Sequence, residues 1–77
     1  MHHDSTGTLI RMANQIGDFF EAMPDHAEAV EGIAQHIKKF WDPRMRRELL
    51  AHMDAGGSGD LHAMVAEAIS SHRAVLA

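Results

Sequence analysis

The feature that most constrains this chain is where its helix breakers fall. Pro24-Asp25, Asp42-Pro43 and the run Gly56-Gly57-Ser58-Gly59 divide it into four segments. Within each segment apolar residues recur every three or four positions, the period of a helix with one buried face. Leu9, Met12, Ala13, Ile16, Phe20 and Met23 form the first stripe. The polar stretch Asp4 to Thr8 precedes it and offers hydroxyls for an N-cap. Pro24 disfavours helical geometry in the residue before it, so the first helix is expected to run to Met23. Asp25 opens the second, with Glu28 in capping-box position and Val30, Ile33, Ala34, Ile37 and Trp41 as its stripe. Asp42 caps the third, and Pro43 suits a first helical position, where a missing N–H loses nothing. Met45, Leu49 and Met53 carry its buried face, and the glycines then supply a left-handed turn. Asp60 is expected to cap a fourth helix striped by Leu61, Met64, Val65, Ala68, His72 and Leu76.

No window alternates as a half-buried strand does. The expected architecture is therefore all-α, a small four-helix bundle of three core helices plus a C-terminal helix. It forms a single helical domain over residues 1–77, with a flexible N-terminus over 1–8 and a Gly-rich linker at 56–59. That linker leaves the docking of the last helix least determined.

The chain has 77 residues and no Cys. A domain of this size buries only about 60% of the surface its unfolded chain exposes, which leaves little room for an enclosed catalytic cleft. Without Cys there are no disulfides, cluster ligands, zinc thiolates or Cys nucleophiles. A small secreted domain usually relies on such staples, so a cytoplasmic location is expected. No apolar run is long enough to span a membrane, and Met1-His2-His3-Asp4 lacks the pattern of a signal peptide. His2 and His3 read equally as native residues or a cloning remnant.

Charge is unevenly placed. Lys38, Lys39, Arg44, Arg46 and Arg47 oppose Asp42 alone, whereas the rest of the chain sets Arg11 and Arg73 against ten acids. A general nucleic-acid binder carries a broad basic face instead. The pattern suits an adaptor whose basic corner meets an acidic surface, or a merely solvated helix end. Gly17 and Gly32, within helices, each forfeit about 1 kcal/mol relative to Ala. A closely approaching backbone would explain them. Either another helix of this chain or a second polypeptide could supply it, covering a flank of Ile10, Ala13 and Gly17 on the first helix and Ala29, Gly32, His36 and Phe40 on the second.

The seven His do not assemble a metal site by spacing. His26, His36, His62 and His72 have no His, Asp or Glu three or four residues away; only Glu48 and His52 pair in that way. His36 and His72 read as packed side chains. Ser70, Ser71 and His72 are adjacent along a helix and do not face one another. The glycine run lacks the Lys-Ser/Thr of a phosphate loop. No catalytic, cofactor-binding or metal residue is assigned.

The stretch Phe40-Trp41-Asp42-Pro43-Arg44-Met45-Arg46-Arg47 combines the only Trp, a Pro-fixed corner and three Arg. Trp and Arg dominate the energetic centres of interfaces, and a fixed corner reduces the entropy lost on docking. Trp41 alone reads equally as a core plug between two helices. The expected partner-binding set is Trp41, Pro43, Arg44, Met45, Arg46 and Arg47, with Asn14, Gln15 and Phe19 from the first helix.

Here a resemblance becomes specific. Leu9-Ile10-Arg11-Met12-Ala13-Asn14-Gln15-Ile16 followed by Phe19-Phe20, Ile33-Ala34-Gln35-His36-Ile37 running into Phe40-Trp41-Asp42-Pro43-Arg44-Met45-Arg46, and Leu49-Leu50-Ala51-His52 leading to Ala55-Gly56-Gly57 resemble the delta subunit of NAD-dependent formate dehydrogenase. The likeness covers roughly residues 9 to 57. It implies a cytoplasmic complex that oxidises formate to carbon dioxide with NAD as acceptor. The large subunit is then expected to hold a molybdopterin centre with molybdenum or tungsten and iron–sulfur clusters, and other subunits flavin and further clusters. The delta subunit itself carries no cofactor and supports assembly or integrity of the holoenzyme. The leading expectation is thus a non-catalytic subunit bound to the large subunit. An assembly chaperone assisting pterin-cofactor insertion and a small helical nucleic-acid-binding regulator are the rivals. In isolation, an uncovered apolar flank would favour a homodimer.

Overall fold

A computed structural model describes residues 5–77. His2 and His3, and the first half of the expected N-terminal flexible stretch, lie outside the described residues. The chain is already helical at Ser5, so the polar residues up to Thr8 belong to the first helix rather than preceding it. The elements are α1 (Ser5–Phe20), α2 (His26–Phe40), α3 (Pro43–Asp54), a 3-10 turn (Gly57–Asp60), α4 (Ala63–Ser71) and the single-turn α5 (Arg73–Leu76). Among the described residues there is no strand, as an all-α bundle requires.

The two Asp caps form as the sequence predicts. Asp25 accepts from the Glu28 N–H at 3.0 Å, and Asp42 from the Met45 N–H at 2.9 Å, with Pro43 in the first turn. Each satisfies a donor that the start of a helix leaves free. α1 ends at Phe20, short of the expected Met23. Its last turn tightens, because the Met23 N–H reaches Phe20 O, only three residues back, at 3.0 Å. This lets the chain leave helical geometry before Pro24.

α2 is the central element, packed on α1, α4 and α5, while α1 also meets α3 and α4. Its whole expected stripe, Val30, Ile33, Ala34, Ile37 and Trp41, is buried. On α3 the interior face falls on Leu49 and Leu50, with Met45 and Met53 only half-buried. Val65, Ile69 and Leu76 complete the core from the C-terminal segment.

The glycine run is structured. Gly56 takes the left-handed conformation (φ +92°) that ends α3, and a 3-10 turn follows. Asp60 does not cap the fourth helix. It lies in the 3-10 turn, where its carboxylate meets His52 Nε2 at 3.2 Å and its carbonyl accepts from Asn14 Nδ2 at 3.1 Å. The cap is His62, whose Nδ1 accepts from the Met64 N–H at 3.1 Å. The helix starts later than expected because Leu61 must turn into the core and Asn14 Oδ1 takes the His62 N–H at 2.8 Å. The fourth stripe is interrupted at His72, and α5 continues it to the buried Leu76.

Gly17 and Gly32 both face side chains of this chain. A Cβ on Gly17 would lie 2.7 Å from His62 Cγ and 2.9 Å from Val65 Cγ2; one on Gly32 would lie 2.6 Å from Phe20 Cε1. Ala13, Gly17 and Ala29 are likewise covered from within the chain. Of the flank expected to meet a neighbour, Phe40 is exposed and Ile10, Gly32 and His36 are half-buried.

Candidate partner-binding surface

The end of α1, the second half of α2 and the start of α3 leave a groove of about 600 Å³ between them. Met12, Ile16, Trp41 and Met45 line it together with Gln15. Phe20 and His36 also line it, as do Phe19 and Phe40, which have 74% and 67% of their surface in solvent. The four rings form a continuous row. Phe19 meets Phe20 edge-on at 5.2 Å, Phe20 meets His36 at 6.2 Å, and His36 meets Phe40 at 4.8 Å. Single exposed apolar residues are ordinary, whereas here two exposed Phe belong to one contiguous apolar groove.

The sequence-predicted set divides. Gln15, Phe19, Trp41 and Met45 come together in the groove. Trp41 serves two sides at once, buried against the core and lining the groove. Pro43, Arg44 and Arg47 are exposed at the neighbouring corner. Asn14 is spent inside the chain, its amide bonded at both ends to the segment leading into α4. Arg46 is spent as well. Its Nε donates to Leu76 O at 3.2 Å, and Nη1 donates to Lys38 O at 3.2 Å and Trp41 O at 2.8 Å. One guanidinium thus neutralises carbonyls at the C-terminal ends of both α2 and α5, where helix dipoles favour a cation. Sequence reasoning assigned Met12, Ile16 and Phe20 to the core alone. Their half-burial places them on both sides. The signal for Phe40 was its position one step off the α2 stripe, beside Trp41.

The pairing of Glu48 with His52 on one helix does not make a site. Glu48 accepts from Thr6 Oγ1 at 2.5 Å, while His52 turns to Asp60. Instead His62 finds carboxylates across the fold. Its Nε2 bonds Glu21 and lies 3.6 Å from Asp18 Oδ1. Nδ1 accepts the Met64 N–H while Nε2 faces the Glu21 carboxylate. The three groups link the end of α1 to the start of α4. Arg73 grips Asp54 with two bonds, at 3.0 and 2.7 Å, and its hydrogen bonds hold the Asp54 carboxyl below its ordinary range. Asp54 in turn raises the Arg73 guanidinium, again chiefly through the hydrogen bond.

The groove is largely apolar and open to solvent, and Arg44 and Arg47 are exposed on the helix that supplies Met45. No helix among the described residues is long and apolar enough to cross a membrane. Searches of curated proteins and of solved structures gave no match. A family model described as "NADH-dependant formate dehydrogenase delta subunit FdsD" matches residues 8–69. That match takes the resemblance past the third helix, through the 3-10 turn and into α4. The chain belongs to the family of delta subunits of NADH-dependent formate dehydrogenase.

Proposed function

We propose that this chain is a non-catalytic accessory subunit that docks through the aromatic groove onto the large subunit of a cytoplasmic formate dehydrogenase and supports assembly or stability of the holoenzyme. The observation that carries the proposal is the pair of exposed rings, Phe19 and Phe40, at the two ends of the aromatic row that lines an apolar groove. In this reading the molybdopterin, iron–sulfur clusters and flavin sit in partner subunits, and a chain without Cys contributes surface. A permanent subunit is favoured over a transient chaperone because Arg46, one of the cations available for pterin phosphates, is committed to the fold.

Burying one Phe contributes about 1.5–3 kcal/mol. A Phe19→Ser/Phe40→Ser variant should keep its helical circular dichroism and lose at least about a hundredfold in affinity for the other subunits. Co-purification of the tagged chain with the complex measures this. Undiminished recovery of a folded variant removes the groove from the interface.

A further inference from the structure

We infer that the segment seated in this groove is an acid-flanked amphipathic helix of a partner subunit. This rests on the docking reading above and identifies what docks. The first reason is shape. The groove is lined by residues of three helices and by a row of rings with Phe19 and Phe40 exposed, a form that takes the apolar face of another helix. Among the described residues no strand offers an edge for pairing, so an extended segment has no ladder to join. Met12 and Met45 supply thioether surfaces that adapt to an aliphatic stripe.

The second reason is charge. Arg11, Lys39 and Arg44 make no ion pair or side-chain hydrogen bond within the described residues, in contrast to Arg46 and Arg73. They come from the three helices that line the groove. Arg11 lies one turn before Gln15 on α1, Lys39 lines a second pocket that shares Phe20, His36 and Phe40 with the groove, and Arg44 directly precedes Met45. Asp18 on α1 and Glu21 just after it face His62, and Asp42 is occupied in capping α3. Exposed, unpaired cations on the helices that line an apolar groove call for an apolar stripe bordered by Asp and Glu. A second copy of this chain fits poorly, because a two-fold interface would set the same cations against one another. Nucleic acid also fits poorly, since the rest of the chain carries ten acids and a duplex is densely anionic.

The test uses the full chain in the purified complex. A benzophenone amino acid replaces Phe40 in one variant and Gln15 in another, and the photo-adducts are mapped by mass spectrometry. Adducts to a helical segment of another subunit, with apolar residues at steps of three and four and flanking Asp or Glu, are expected. Adducts to a second copy, to nucleic acid or to a basic or extended segment overturn the inference, as does irradiation without a protein adduct. A Lys39→Glu/Arg44→Glu variant should lose about tenfold or more in retention, with the loss greatest at low salt, while Lys39→Arg/Arg44→Lys is retained. Equal retention of all forms overturns the charge argument. If the chain stays in the complex but its adducts lie elsewhere, this inference fails and docking stands. If the chain leaves the complex altogether, the docking reading fails first.

Discussion

Gly17 and Gly32 look alike in the sequence and differ in what an added methyl group would strike. At Gly17 the obstacle is the root of the His62 side chain and Val65, both fixed by the start of α4. At Gly32 it is the far edge of the half-buried Phe20 ring, which can swing toward the groove. Ala would raise helix propensity at either site by about 1 kcal/mol, whereas overpacking costs about 1–3 kcal/mol where nothing yields. Gly17→Ala should therefore lower the urea midpoint, and Gly32→Ala should leave it nearly unchanged or raise it. Arg46 poses a similar contrast with Arg44. Replacing Arg46 by Ala strands carbonyls at two helix ends and should cost about 1–3 kcal/mol in chemical denaturation. Arg44→Ala should leave stability within about 0.5 kcal/mol.

The helices themselves begin and end on local chemistry, which is why much of their arrangement could be read in advance. Asp25 and Asp42 cap with their own side chains, and the information lies within four residues of each. Replacing either by Ala should reduce the unfolding free energy by about 1 kcal/mol, measured by denaturant titration. Asp60 has the same local credentials and caps nothing, because Asn14 and His52, distant in sequence, claim it. The start of α4 is thus set by tertiary contacts that no window of sequence contains. The candidate surface was legible to the same extent. Trp41, Met45, Phe19 and Gln15 stood out by residue type and corner geometry. The withdrawal of Asn14 and Arg46 into the fold depended on where the C-terminal segment lands. So did the division of Phe20 between core and groove.

Over the whole molecule, the core is made of apolar side chains, and no polar or charged side chain among the described residues is buried. Polar links between elements lie at the surface and trim the bundle rather than hold it. The Arg73–Asp54 pair, which ties α5 back to α3, is the clearest. The native Asp54 carboxyl titrates below its unfolded counterpart, so the pair's contribution is present above the ordinary Asp range and fades as pH falls through the lowered native value. Asp54→Asn should therefore unfold slightly earlier than the parent near neutral pH, and the two thermal midpoints should converge in acid. The position of the lone indole has a spectroscopic consequence. Trp41 is 4% exposed and belongs at once to the interior and to the wall of the groove. Its fluorescence in the free chain should lie at short wavelength and resist quenching by iodide. Occupation of the groove should change its intensity with little spectral displacement, and unfolding should move it to the red, so a single native fluorophore distinguishes a filled groove from a molten chain without any label.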